Sequence, residues 1–145
     1  LRQAIGDIKE QPAFYSEKDV VSQQYVSVLN HDVYNGAYDA RFMARNRVRS
    51  WDEVSFTIQA QAKNEPLHPQ APKMQFVAAD KRIFVKGSEH LYRRLSVREC
   101  ARIQTFPDSF RFVYSNILDG YKMVGNAVPP RLAEQIALWI KNTLK

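Results

Sequence analysis

The sequence predicts an α+β fold in which a β-rich part precedes a helical one, and three segments carry that reading. Val54, Phe56 and Ile58 alternate with Ser55, Thr57 and Gln59, the period-two pattern of a strand with one buried and one polar face. Ser96, with Glu99 three residues on, forms an S-x-x-E capping box ahead of Val97, Cys100, Ala101 and Gln104, so a short helix is expected from Val97. Pro130, a favoured first helical residue, opens a segment running to about Asn142 that sets Leu132, Ala133, Ile136, Ala137 and Ile140 on one face.

The remaining elements follow in chain order. Leu1, Ala4, Ile5 and Ile8 share one helical face, and Pro12 is expected to end that helix. Residues 13 to 38 read as irregular, with a turn at Asn35-Gly36. Short β-type stretches are expected between Arg41 and Ala60. Pro66, Pro69 and Pro72 then force a loop, and residues 75 to 85 are expected to hold further strand. Phe106-Pro107-Asp108 stops the helix that the capping box starts.

Composition bounds the function. Of 145 residues 45% are hydrophobic, an ordinary globular content, and 21 Lys+Arg against 15 Asp+Glu give a net charge of +6, which favours an acidic partner such as nucleic acid. No apolar run approaches the roughly 20 residues of a membrane helix. A single cysteine excludes an internal disulfide and suits a reducing compartment. His31, His68 and His90 lack companion cysteines at ligand spacing, so no metal site is expected.

Arg41, Arg45, Arg47 and Arg49 fall within nine residues. On an extended segment alternate side chains share a face, so several guanidiniums would project together. Such a strip can be merely solvated, can bind phosphates, or can pair bidentately with the O6 and N7 of guanine. Thr57 and Gln59 lie on the polar face of their expected strand, open either to solvent or to a nucleic acid. His68 and Gln70 sit in the proline-stiffened loop, where turn packing competes with base contact.

The stretch from Arg93 to Phe110, RRLSVRECARIQTFPDSF, and Gly125-Asn126-Ala127-Val128-Pro129 downstream resemble the ninth and tenth motifs of the DNA cytosine-5 methyltransferases, in the right order. The opening LRQAIGDI with Pro12 is similar to the segment that follows that family's eighth motif. MARNRVR at 43 to 49, FTIQA at 56 to 60 and LHPQAP at 67 to 72 resemble the recognition domain of members that modify GGCC. Where those members carry Ser-Gly-Arg, this chain has Gln61-Ala62-Lys63-Asn64, and Lys63 could replace the arginine's charge but not its planar fork.

The resemblance implies a division into residues 1–12, a helix linking from a catalytic domain; 13–92, a target recognition domain; and 93–145, a hinge and closing helix that complete the catalytic domain. It implies a β-rich recognition lobe whose C-terminal helices dock on a Rossmann-like domain in another chain or region, leaving Ile136, Trp139 and Ile140 uncovered without that partner. Arg45, Asn46, Arg47, Arg49, Thr57, Gln59, Lys63, His68 and Gln70 would face DNA. Arg94, Arg98 and Glu99 would tie the recognition lobe to the catalytic lobe. Asn126, Ala127 and Val128 would help wall a pocket for S-adenosyl-L-methionine.

None of the family's catalytic motifs is found in the chain. Cys100 follows Glu99 on the apolar side of a short helix, whereas the family's nucleophile follows a proline in a loop; it reads as a buried hydrophobe, and no residue is assigned a catalytic role. The chain is therefore expected to be the smaller subunit or C-terminal fragment of a bacterial, cytoplasmic restriction-modification methyltransferase. Its partners would be GGCC-containing duplex DNA and a catalytic part carrying the Pro-Cys loop. A stand-alone DNA-binding module without catalysis is the alternative.

Overall fold

Regular structure is sparse, and loops tied to one short helix carry most of the architecture. The computed structural model describes residues 1–22 and 27–144; residues 23–26, within the segment expected to be irregular, and Lys145 lie outside it. The elements run α1 (Arg2–Ile5), β1 (Ala13–Tyr15), β2 (Asp32–Tyr34), β3 (Gln75–Ala78), β4 (Lys81–Ile83), α2 (Val97–Ile103), α3 (Ile117–Asn126) and α4 (Pro130–Thr143). β1 pairs with β2 in parallel, Ala13 opposite Asp32, and β3 with β4 antiparallel, Gln75 opposite Ile83. The result is a small mixed α+β chain with two two-stranded sheets among the described residues.

α2 begins where the capping box places it. Ser96 Oγ accepts from the Glu99 backbone N–H at 3.1 Å, and Glu99 Oε2 accepts from the Ser96 N–H at 2.7 Å. The reciprocal bonds satisfy two amides that the first turn would otherwise leave open. α3 has the same logic, since Asn116 Oδ1 accepts from Leu118 N–H at 2.8 Å, and its inward face carries Ile117, Tyr121 and Val124.

Two apolar clusters form. The larger joins Ile5, Tyr34, Ile58, Ala62, Leu95, Val97, Cys100, Ala101, Ile117, Tyr121 and Val124, so the 54–59 segment and α2 share one core with α3, and α4 adds no residue to it. Tyr121 staples it, donating its hydroxyl to Leu95 O at 2.7 Å and accepting from Tyr34 N–H at 3.3 Å. The smaller cluster gathers Phe42, Val48, Leu67, Ala71, Met74 and Tyr92. Leu67 bridges the two regions, pairing with Val48 on one side and Arg94 on the other.

Several expectations are corrected. The first helix is four residues long rather than reaching Pro12, because Gly6 and Asp7, both weak helix formers, follow at once. Residues 13 to 38 hold the β1–β2 ladder rather than only irregular chain. Residues 54 to 59 are not a strand: no strand among the described residues pairs with them, and the alternation leaves Ile58 buried but Val54 86% exposed. α3 was not anticipated, although Asn116 followed by apolar residues 117, 118, 121 and 124 has the signature of a capped helix. α4 runs as expected, with no buried residue: Trp139 is 68% exposed, Leu132 52% and Ile136 48%.

The C-terminal end of α3 meets the loop at Gln59-Ala60 so closely that a Cβ on Gly125 would overlap the Gln59 carbonyl and the Ala60 nitrogen. The obstructing atoms are backbone and cannot swing aside. Gly125→Ala is expected to cost about 1–3 kcal/mol, read as a lowered denaturation midpoint; an unchanged midpoint would show that the two segments are not in contact.

Candidate nucleic-acid interface

The site is built outward from α2. Glu99 is fully buried and accepts two hydrogen bonds from Arg93, at 2.7 and 2.8 Å. Burial alone would push its carboxyl up, but the bonds and charge of Arg93 outweigh it and hold the pKa below the ordinary value. His68 lies against the same carboxylate, Nε2 to Oε1 3.5 Å, while its Nδ1 accepts from the Gln70 N–H at 3.3 Å. That acceptor role puts the ring proton on Nε2, toward Glu99.

Arg94 and Arg98 are also buried, with carbonyls rather than carboxylates for company. Arg94 donates to the carbonyls of Tyr34, Gly36 and Ala37 at 3.2, 2.7 and 3.2 Å, and its guanidinium lies 4.3 Å from the Tyr38 ring centroid. Arg98 donates to the carbonyls of Leu29, Pro107 and Phe110 at 2.8, 3.2 and 2.6 Å. Of the three residues expected to act as a hinge, Glu99 thus finds its ion-pair partner in Arg93, which the sequence reading passed over. A doublet of arginines does not reveal which one turns toward the helix.

The arginine strip is not the single fan expected of a strand, because residues 42–44 form a 3₁₀ turn. Arg41 and Arg45 are exposed. Arg47 folds back, donating Nε to Phe42 O at 3.1 Å with its guanidinium 4.9 Å from the Phe42 ring centroid. Arg49 lies 4.2 Å from the Phe56 ring centroid and reaches Glu53 at 3.4 Å. The Asn46 amide is committed internally, donating to Val48 O at 2.6 Å and accepting from Met74 N–H at 2.9 Å. Thr57, Gln59 and Gln70 are exposed, and the Gln70 amide reaches Leu91 O at 3.1 Å. Lys63 pairs with Glu17 at 2.8 Å, and His68 is buried.

Beside this segment lies an open groove of about 900 Å³. Trp51 and residues 52–58 line it together with Ile103, Gln104, Gly125 and Pro129, and residues 1–4 close one end. The loop bearing Thr57 therefore faces the residues of the last two motifs across one cleft.

The sequence matches the C-5 cytosine-specific DNA methylase family over residues 1–142. The chain belongs to this family. It is 57% identical over 146 residues to the Type II methyltransferase M.MthTI of Methanothermobacter thermautotrophicus, a match covering 100% of this chain and 44% of that protein. It is 49% identical to the Type II methyltransferase M.FnuDI of Fusobacterium nucleatum, over 99% of this chain and 42% of that protein. A match of 64% identity to mouse DNA (cytosine-5)-methyltransferase 1 covers 34% of this chain and 3% of that protein. The chain thus spans less than half the length of these relatives.

The cofactor expected from the family resemblance finds no complete site here. Asn126 ends α3 and is exposed, as is Val128, with Ala127 half-buried between them. Asn126 borders an open hollow with Tyr114, Ser115, Asp119, Lys122 and Met123. These residues offer one wall and by themselves do not fit S-adenosylmethionine. Among the described residues no group of three or more His, Cys, Asp or Glu side chains is placed to hold a metal ion, and no helix is long and apolar enough to cross a membrane.

Behind the groove sits a carboxyl that no sequence signal marked. Glu65 is fully buried; its Oε1 accepts from Gln59 N–H at 3.0 Å, and Cys100 Sγ lies 3.5 Å from Oε2. Burial pushes its pKa up to about 8 and that of His68 down to about 4. Against ordinary values of 4.5 and 6.5, unfolding between those pH values takes up a proton at His68 and releases one at Glu65. The two slopes, about 1.4 kcal/mol per pH unit each, cancel. From 6.5 to about 8 only Glu65 remains, and stability falls as pH rises. Below 4.5 His68 and Glu99 both lower it. Urea melts across pH 4 to 9 are expected to show this plateau, and Glu65→Gln to abolish the alkaline decline; persistence of the decline in that variant would assign it elsewhere.

Proposed function

We propose that this chain is the DNA-recognising C-terminal part of a cytosine-5 DNA methyltransferase of the restriction-modification type, acting in a prokaryotic cytoplasm on GGCC-containing duplexes. The observation that supports it best is the groove shared by the Trp51–Ile58 loop and the last two motifs, with the bare apolar face of α4 beginning beside Pro129 at its rim. A catalytic part, as a separate subunit or in the same polypeptide, would cover that face. It would bring the Pro-Cys nucleophile that attacks the flipped cytosine, and S-adenosylmethionine would supply the methyl group.

The GGCC target rests on the resemblance of residues 43–49, 56–60 and 67–72 to the HaeIII methyltransferase. Within that reading the site residues divide by placement. Arg45, Thr57, Gln59 and Gln70 are exposed and would meet the duplex directly. Arg47 and Arg49 are held on aromatic rings, which limits their rotamers, and would turn from the Phe42 carbonyl and from Glu53 to present the guanidinium fork to a guanine edge. Lys63 would approach a phosphate on leaving Glu17. Asn46 and His68 support the others from inside. Arg94, Arg98 and Glu99, with Arg93, would keep the recognition loops fixed relative to the catalytic part, and Asn126, Ala127 and Val128 would complete its cofactor pocket.

The direct test is methyl transfer from labelled S-adenosylmethionine to a GGCC duplex by this chain alone, by the Pro-Cys-bearing part alone, and by the two together. Activity is expected only in the mixture. Selective GGCC binding with no activity in any combination would instead indicate a non-catalytic binding module. In the active assembly, Arg45→Ala is expected to lose roughly 1–3 kcal/mol of discrimination at one base pair. A uniform loss on all sequences would identify a phosphate contact instead.

A further inference from the structure

Resting on the DNA-binding reading above, we propose that the β3–β4 hairpin and the turn it packs against form a second DNA contact, a phosphate-gripping ridge outside the base-reading segment, with Arg41 and Lys81 as its contacts and Arg82 as the positioning residue. The hairpin has no buried face: Phe76 is 64% exposed and all four residues of β3 are exposed. A two-stranded hairpin of this kind is marginal by itself, and here it is anchored sideways. Arg82 stands opposite Phe76 in the ladder, its guanidinium 5.4 Å from the ring centroid, and donates Nη1 to Ala44 O at 3.4 Å.

That bond fixes the register of the hairpin against the arginine segment. The Ala44 N–H in turn donates to Arg41 O at 3.4 Å, and Arg45 follows directly. Arg41 and Arg45 thus flank a single turn and Lys81 precedes Arg82 on the strand docked against it; all three are exposed, and none belongs to an ion pair among the described residues. Residues 73–86 carry four cations and one carboxylate, Asp80 at the hairpin tip. Asp39, the acid nearest Arg41 in sequence, has an oxygen occupied by the Phe42 N–H at 2.7 Å. An exposed strand pair with that charge surplus, continuous with the base-reading arginines, complements a polyanionic backbone better than an apolar protein surface. Phosphate contacts would set the register of the duplex while leaving sequence choice to the arginine segment.

The test uses the complete methyltransferase and measures duplex affinity against salt, on GGCC and scrambled sequences, for wild type, Arg41→Ala, Lys81→Ala, the double variant and Lys81→Arg. Each charge removed is expected to reduce the log–log salt slope by about 0.9 and to weaken both duplexes alike. Lys81→Arg is expected to keep the slope. An unaltered slope in the double variant, while wild type still prefers GGCC, overturns the ridge and leaves the main reading standing. Lost preference for GGCC would make the hairpin a base reader, and lost assembly with the catalytic part a protein-docking surface; either overturns the proposal. Failure of wild type itself to bind DNA removes both readings.

Discussion

Glu99 is ionised inside the protein, and the surroundings of α2 are arranged to make that tolerable. A lone buried carboxylate would cost several kcal/mol. Here Arg93 forks onto both oxygens, the Ser96 amide adds a third donor, and the His68 ring closes the remaining side. The same carboxylate is half of the capping box, so helix initiation, charge burial and attachment of the 66–70 loop depend on one side chain. The backbone confirms the attachment: His68 donates to Arg93 O at 2.8 Å and Leu95 to Pro66 O at 2.9 Å.

A protein with so little sheet must satisfy its loop carbonyls in some other way, since a buried unpaired carbonyl costs about as much as a lost hydrogen bond. Arg94 and Arg98 do this. A guanidinium has five donors in a rigid fork, and each of these two gathers carbonyls from stretches far apart in sequence, 34–37 and 63 for Arg94 and 29 with 107–110 for Arg98. A lysine could carry the charge but not span those acceptors. Arg94 and Arg98 are thus consumed as internal cross-links, whereas Arg41 and Arg45 are left on the surface of the 41–49 turn.

That division explains what could be read from the sequence. The capping box, the proline-started α4 and the β3–β4 hairpin depend on neighbours within a few residues, and each lies close to where its local signal puts it. The alternation at 54–59 is equally clear, yet whether it becomes a strand depends on a partner strand that no local pattern records. Asn46 and His68 look like their exposed neighbours in sequence, and only the packing of Met74, Trp51 and Glu99 around them turns them inward. Glu65 is the extreme case, a carboxyl in a polar-looking loop whose burial follows from Cys100 and Gln59 meeting there.

The internal satisfaction around α2 contrasts with α4, whose apolar side chains are not buried. Its first turn is held by a bond from the Arg131 N–H to Thr105 Oγ1 at 3.1 Å, and Thr105 itself takes a left-handed backbone, φ 67°, that a β-branched residue adopts only under constraint. Fixing the start of a helix while leaving Leu132, Ile136, Trp139 and Ile140 bare is a poor arrangement for an isolated chain. Full burial of an exposed side chain of this size is worth roughly 1.5–3 kcal/mol, and these four are between 44% and 68% exposed, so covering the face would add about half that for each, a sizeable part of the roughly 5–15 kcal/mol that separates a typical folded domain from its unfolded state. A surface that covered α4 would therefore contribute to the stability of this region as much as to assembly, and folding and association would be thermodynamically linked.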